Sequence, residues 1–383
     1  MNILFLTTII PRKKRMGSEV ASQCFIDALT QSGYQVSVIG YMRTDDIFEL
    51  NPQEILVDKR YIETKRAKFY PLLWLILSIL RGLPYSAAKY YSKAYIKIVK
   101  KLLATSKYDA VIIDHPQLGW LESLMKDKGR MITIAHNIEH EIYLDNYKNA
   151  GNFISRWIYR REAYLIKQME DKLATTARAV WALTEHDSKY FSSLEGAAKI
   201  RVSPLPPGLD KLPDKPISKE FDIGLIGSWP WKPNQEGLQW FLQNVYPHLP
   251  TNLSIHVAGR GAQWLIEKYP NIHSRGFVPD AQEFMAQAKV VAIPILSGGG
   301  IQIKTLDAIA SGSAIVATPV ALRGIPDYPQ TVQVAAEPED FAKFLISVIS
   351  SPATQQKFDD AFNWFTTRRE QFLADIACAI KEL

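Results

Sequence analysis

The sequence predicts an α/β protein of two doubly wound, Rossmann-like domains, and three observations carry that prediction. Short apolar runs rich in β-branched residues alternate with amphipathic helical stretches, the pattern of strands and crossover helices in a parallel sheet. The alternation runs through both halves of a 383-residue chain, a length that exceeds one ordinary core. Between the halves lies "SPLPPGLDKLPDKPISKE", residues 203–220, with five prolines in its first fourteen residues. Proline at that density makes a linker, not an element.

In the first half the strand candidates are "NILFLTT", "QVSVIG", "DAVIID", "MITIA" and "AVWAL". In the second they are "FDIGLIG", "LSIHVAG", "KVVAIPI" and "AIVAT". Helical patterns such as "SEVASQCFIDALTQSG" and "QEGLQWFLQNV" separate them. The domains are placed at residues 1–208 and 209–363, and "FNWFTTRREQFLADIACAIKEL" is helical, with an attachment that pattern alone does not fix.

Apolar residues make up 47% and charged residues 22%, a soluble globular composition. Cys24 and Cys378 have no metal-ligand spacing and suggest no disulfide framework, which fits a reducing cytosol. In "MNILFLTTIIPRKKR" the charge follows the apolar run and no small-residue cleavage site appears, so a buried first strand is expected there and not a signal peptide. No window reaches the ~18 uninterrupted apolar residues of a membrane span. A cytoplasmic protein is expected.

Net charge is +6, but it is uneven. From Lys59 to Lys101 there are eleven Lys or Arg against one acid, Glu63, and the remainder is slightly acidic. Tyr91, Tyr95, Ile98 and Leu102 recur at helical spacing there, with Lys89, Lys93, Lys97 and Lys101 on another face. One reading is a core-facing helix with a solvated lysine face. The other is a basic, aromatic surface around Trp74 that rests on anionic lipid at the inner membrane face. No nucleic-acid module surrounds the segment, so no nucleic-acid partner is expected.

The stretch "LSGGGIQIKTLDAIASG", residues 296–312, follows the apolar run "AKVVAIPI" and opens a helix. It therefore sits at the carboxyl end of a strand, where open α/β sheets bind ligands. Glycine lets backbone N–H groups approach a ligand, and a helix amino terminus offers unpaired donors and partial positive charge. Lys304 adds a cation, and Asp307 can accept hydrogen bonds from a diol such as ribose. The plainer alternative is a glycine-rich turn with Lys304 and Asp307 as an exposed pair.

These residues carry a family resemblance. "GSWPWKPNQEGLQWFLQNVYPHLP", "GRGAQWLIEKYPNIHSRGFVPD" and "PILSGGGIQIKTLDAIASGSAIVATPVALRGI" resemble the carboxyl half of retaining glycosyltransferases of the family 4 (group 1) type, closest in flavour to bacterial polysaccharide-type sugar transferases. "FLTTIIPRKKRMGSEVASQCFIDALTQSGYQVSVIG" and "ITIAHNIEHE" resemble the amino half more loosely. The resemblance implies a GT-B fold, two Rossmann domains facing each other across a cleft, with the helix at 364–383 returning to the first. It implies sugar transfer from a nucleotide diphosphate sugar to a glycan or lipid-linked acceptor, with retained configuration and no metal or other cofactor. The chain has no Asp-x-Asp, which agrees.

Residue by residue, the resemblance puts Lys232 and Lys304 on the diphosphate and Asp307 on the ribose. Gly299 stands where the family has the first glutamate of Glu-x7-Glu, and Asp307 replaces the second. Gly300, Ile301, Gln302 and Ile303 would offer backbone N–H groups to the donor. Phe277 and Val278 would flank the base, Gly17 would approach the phosphate, and His136 would sit beside the transferred sugar. The leaving phosphate itself can take the acceptor's proton, so His136 is cast as an orienting hydrogen-bond partner.

Other readings remain. The missing first glutamate suits a catalytically reduced GT-B subunit of a glycan assembly complex, and the fold also suits a nucleotide-sugar epimerase. "HNIEH" matches the H-x-x-E-H of inverted zinc peptidases, with His136 and His140 as ligands and Glu139 as base. Outside that last reading, His140→Ala is expected to do little.

Overall fold

The structure, a computed structural model, describes residues 1–383 apart from 64–66, 68, 126, 210, 211, 213–216, 266, 267 and 352–354, and apart from the side chains of 355–357. Much of the proline-rich stretch, and Lys65, Arg66 and Lys68 of the basic segment, thus lie outside the described residues. The chain forms two compact units, Met1–Pro204 with Phe372–Leu383, and Leu205–Gln371.

The first unit is built on a seven-stranded parallel sheet. Its strands are β1 (Asn2–Ile9), β2 (Gln35–Arg43), β3 (Glu54–Arg60), β4 (Ala110–Asp114), β5 (Met131–Ala135), β6 (Ala179–Ala182) and β7 (Lys199–Val202). Their order is β3-β2-β1-β4-β5-β6-β7. The helices are α1 (Gly17–Gln31), α2 (Tyr70–Arg81), α3 (Tyr85–Ala88), α4 (Lys93–Thr105), α5 (Glu139–Lys148), α6 (Phe153–Thr176) and α7 (Glu185–Ser192). β1, β4 and β5 carry almost unbroken apolar runs because helices cover both faces of the sheet. Leu4, Leu6, Ile113 and Leu173 are fully or nearly fully buried in one cluster, each burial contributing about 1.5–3 kcal/mol.

The second unit has a six-stranded sheet of order β10-β9-β8-β11-β12-β13. Its strands are β8 (Phe221–Ile226), β9 (Ile255–Ala258), β10 (Ile272–Gly276), β11 (Ala288–Ile293), β12 (Ala314–Ala317) and β13 (Val332–Val334), again parallel. Its helices are α8 (Lys232–Trp240), α9 (Ala281–Gln287), α10 (Ile303–Ala310), α11 (Pro338–Ser350) and most of α12 (Gln355–Lys381). Leu225, Phe241, Val257, Val290 and Phe341 lie in its core.

In each sheet the strand order reverses once beside the first strand, between β1 and β4 and between β8 and β11. The loops that leave the carboxyl ends of such neighbours diverge to opposite faces and leave a crevice, where open α/β sheets take ligands. Both groups of candidate residues sit at these points.

The amphipathic segment at 364–383 belongs to α12, which begins in the second unit and ends in the first. Phe372 meets Phe25 edge-on at 5.2 Å, and Phe25 stacks on Trp181 at 5.6 Å. Arg201 of β7 donates to the carbonyl of Asp375 at 3.0 Å.

Candidate active site

In the first unit, β1 and β4 pair Thr7 with Asp114 at their carboxyl ends. Asp114 is fully buried. The hydroxyls of Thr7 and Ser22, the latter on α1, each donate to its Oδ2 at 2.7 Å. His136, just beyond β5, places Nε2 2.6 Å from Oδ1. Burial alone would raise the Asp114 carboxyl. The two neighbouring imidazoles and these hydrogen bonds outweigh it and hold the group well below the usual carboxylate range. A carboxylate only accepts hydrogen bonds, so Nε2 of His136 carries the proton, and a neutral ring then leaves Nδ1 as an acceptor.

His115 completes the group. Its φ of 101° is a strained value for a residue with a β-carbon, and its ring stacks on that of His136 at 4.0 Å. Burial, opposed by the charge of Asp114, pushes it down to about 3, so it is neutral at ordinary pH. Asp114 and His115 were not singled out from sequence, although "DAVIIDH" ends a strand with an acid and an imidazole. Asp114, His115 and His136 bring one ligand atom each within 4.8 Å of one another.

His140 belongs elsewhere. It lies in the first turn of α5, is 7% exposed, and pairs through Nδ1 with Glu170 of α6. Glu170 also accepts from the backbone N–H groups of Glu139 at 2.9 Å and His140 at 3.3 Å, which caps the amino end of α5. His136 precedes the helix and holds a different carboxylate. The zinc-peptidase arrangement, with both histidines projecting from one helix face, is therefore not formed. Burial and the charge of Glu170 push Glu139 up to about 7. The buried pair gives His140 a structural role, separate from the expectation that its loss does little to transfer. We expect His140→Ala to lower stability by about 1–3 kcal/mol through loss of a buried, charge-assisted partner, read in urea unfolding, with nucleotide affinity unchanged. A variant as stable as the parent would refute this structural role.

In the second unit the glycine run leaves β11 and enters α10. Gly298 and Gly300 have φ of 118° and 64°, which glycine adopts without strain. A side chain at Gly300 would strain the backbone before it met any ligand. Arg323 pins the loop, donating to the carbonyl of Gly298 at 2.6 Å. Gln302 is the buried N-cap residue of α10 but makes no side-chain cap, and Ile303 opens the helix. Lys304 donates to Asn234 Oδ1 at 2.6 Å, and Asn234 donates to the carbonyl of Ser228 at 3.1 Å. Burial pulls the Lys304 ammonium from 10.5 down to about 7. Asp307 accepts from the backbone N–H of Gly208 at 2.9 Å, a tie to the proline-rich segment that the sequence reading did not foresee.

Lys232 opens α8. Its side chain is 58% exposed and lies 3.6 Å from Glu236, which accepts from Ser297 beside the glycine run at 2.8 Å. Asn234–Lys304 and Glu236–Ser297 thus join the first turns of α8 to the 296–304 loop. Gly299 and Ile301 are half-buried in that loop. Phe277 is 68% exposed just past β10, with the Arg260 guanidinium 5.4 Å from its ring centre, and Val278 beside it is half-buried. Gly17 opens α1 in the first unit and is exposed.

In the basic segment α4 follows the first of the two sequence readings, and Trp74 departs from the second. Trp74 is 5% exposed, packed near Tyr70 and Tyr85, so it is a core residue of its unit and not an anchor. Lys89 donates to the carbonyl of Ile62 at 3.2 Å and leans on Tyr90. Lys93, Lys97 and Lys101 are exposed on α4, whose inner face buries Tyr95 and Val99. α4 is thus a core-facing helix with a solvated lysine face.

Comparison with known proteins fits this geometry. Sucrose-phosphate synthase from Thermosynechococcus elongatus is similar at a TM-score of 0.65 and 14% identity, over 100% of this chain and 98% of that one. An α,α-trehalose-phosphate synthase (UDP-forming) from Burkholderia xenovorans, in complex with glucose-6-phosphate, gives 0.60 at 10% identity, over 98% and 99% of the two chains. Anabaena HepE in complex with UDP gives 0.57 at 14% identity, over 100% and 99%. No curated protein matches in sequence. Two parallel-sheet, Rossmann-like units with these likenesses define a GT-B fold. Residues 220–351 match the family Glycosyl transferases group 1. The second unit is therefore a group 1 glycosyltransferase domain, and the protein is an enzyme of the glycosyltransferase class.

Proposed function

We propose that the protein transfers a sugar from a nucleoside diphosphate sugar, with uridine as the nucleoside, to a glycan or lipid-linked acceptor in polysaccharide assembly. The observation that carries this reading is Lys304 beside the open amino end of α10, at the switch point of the second sheet. A cation and free N–H groups fixed in place stabilise the charge that appears on a departing diphosphate. Lys232 adds a second cation, Phe277 and Val278 take the base, and Asp307 meets the ribose. Uridine is favoured because HepE is described with UDP and the trehalose-phosphate synthase as UDP-forming.

In the proposed reaction the bond from the anomeric carbon to the diphosphate breaks, and the acceptor oxygen bonds that carbon on the same face. The acceptor's proton passes to the departing phosphate, and His136 hydrogen-bonds the sugar. No metal is required in this scheme. The enzyme would work at the cytoplasmic membrane face, where a lipid-linked acceptor lies.

One observation favours a second reading. A buried carboxylate behind an imidazole stabilises the imidazolium, so the Asp114–His136 pair could take the acceptor's proton directly and give inversion. Proton NMR of the product's anomeric centre separates the two. For the donor, UDP at 100 times its Kd should add about 2.7 kcal/mol of stability, with GDP much weaker and EDTA without effect on transfer. No thermal shift with any nucleoside diphosphate would refute the reading. Activity abolished by chelator and restored by zinc would replace its metal-free part.

A further inference from the structure

Helix α2 turns Trp74 and Ser78 inward and leaves its other side bare. Phe69 just before it is 62% exposed, and Leu72, Ile76, Ile79 and Leu80 are 62%, 45%, 60% and 78% exposed. The first turns of α6 repeat the pattern, with Phe153 82%, Ile154 70% and Trp157 58% exposed. The two helices adjoin. Arg161 of α6 donates to the hydroxyl and carbonyl of Ser78 at 2.9 and 3.2 Å. Ile154, Trp157 and Ile158 precede Arg161 by helical spacings, so they lie on the side of α6 that meets α2. The two neighbouring helices thus present an apolar surface with far more exposed aliphatic and aromatic area than a solvated helix pair carries.

Its charges have one sign. No acid occurs from Phe69 to Arg81 or from Phe153 to Arg161, whereas Arg81, Arg156 and Arg160 stand exposed at the margin. Beside them a cavity of about 370 Å³ is lined by Tyr147, Phe153, Arg156, Trp157 and Arg160. The Arg156 guanidinium stands 5.2 Å over the Tyr147 ring, held for an anion at the edge of an apolar face. α2 is too short to cross a bilayer: its 12 residues span about 18 Å against a core of about 30 Å.

We propose that the outer face of α2 and the first turns of α6 dock on an anionic bilayer, with Arg156 and Arg160 receiving a lipid phosphate. This deepens the proposed lipid-linked acceptor and rests on that reading for its purpose. It also moves the membrane contact from the lysine face of α4 to an apolar surface with an arginine margin. A second copy meeting the same face would crowd like charges, and an acid-free margin matches anionic headgroups.

The test is co-sedimentation with vesicles of phosphatidylglycerol and phosphatidylcholine, and of phosphatidylcholine alone. The parent should bind the anionic vesicles strongly and the neutral ones at least about tenfold less, and 0.5 M salt should release only part of the bound protein. Leu72→Gln, Ile76→Gln and Ile79→Gln combined should cut binding to both by more than about tenfold. Arg156→Gln with Arg160→Gln should remove the preference for anionic vesicles, and Lys93→Gln, Lys97→Gln and Lys101→Gln combined should change binding less than about threefold. Parent-like binding by the α2 variant, or none by the parent, would overturn the proposal. So would a parent dimer in sedimentation velocity that the α2 substitutions dissolve. A UDP thermal shift on the same preparations keeps the two ideas apart: vesicle binding lost with the shift intact counts against the surface alone, and no shift counts against the donor site.

Discussion

His136→Ala lowers kcat about a hundredfold and leaves donor affinity within about twofold. The ring is fixed before substrate arrives: Asp114 holds Nε2, and His115 stacks on its face. Nδ1 is then presented as an acceptor with no reorganisation at the moment of reaction. Such a contact strengthens as charge develops, so its loss appears in turnover and not in ground-state binding. Asp114→Asn should produce a loss of the same order by another route. An amide can donate to the ring, which favours the tautomer with the proton on Nδ1 and removes the acceptor. Because both substitutions disable one unit, the double variant should be little worse than either single. Initial rates at saturating donor, with Kd from titration, measure this. Losses that multiply in the double variant, or a His136→Ala variant that loses affinity instead of rate, would refute the assignment.

Lys304→Met weakens UDP binding by about ten- to a hundredfold, the size expected for one charge-assisted hydrogen bond. The pH dependence identifies the cause. Burial lowers the free Lys304 ammonium to about 7, so it is charged below that pH and largely neutral above it. A bound diphosphate favours the charged form. UDP affinity should therefore fall as pH rises from 7 to 9, and binding at pH 8 should take up a proton, measurable by calorimetry in buffers of different ionisation enthalpy. Lys304→Met should lose both the slope and the uptake. Stability has the opposite sign. The unfolded chain holds this proton up to its ordinary 10.5, so the native state bears the cost fully below 7 and progressively less up to 10.5. Lys304→Met should consequently be more stable than the parent at pH 6. A variant that keeps the pH slope would show that another group carries it.

The strands legible in the sequence were the interior ones. β1, β2, β4, β5 and β6 of the first sheet, and β8, β9, β11 and β12 of the second, are buried on both faces and read as apolar runs. The four not picked out, β3, β7, β10 and β13, are the edges of the two sheets. "EILVDKR", "KIRV", "IHSRG" and "VQV" are half-solvated, so polar residues interrupt their periodicity and a local pattern rule passes over them.

Site residues follow a similar logic. Lys304 and the glycine run were legible because a strand end, flexible backbone and a helix start coincide within a few residues. Asp114 was not, since its partners Thr7, Ser22 and His136 converge from β1, α1 and the end of β5, a coincidence made only by sheet order. Trp74 and Ser78 illustrate the converse. In "YPLLWLILSILR" nearly every position is apolar, so composition could not reveal that the tryptophan and the serine turn inward while the leucines face out.

The path of α12 has a consequence for synthesis. The core of the first unit is closed by Phe372, whose edge meets Phe25 beside Trp181, while Arg201 of β7 bonds to Asp375. A ribosome delivers every strand of that first sheet and must still make all of Leu205–Gln371 before Phe372 emerges. At about 5–20 residues per second, the interval is on the order of ten to thirty seconds. Throughout it, Phe25 and Trp181 have no cover from α12, and the nascent amino-terminal unit is a client for whatever chaperone meets exposed aromatic surface. The second unit, contiguous in the chain, can complete its sheet before the first is sealed. The unit made first is thus finished last.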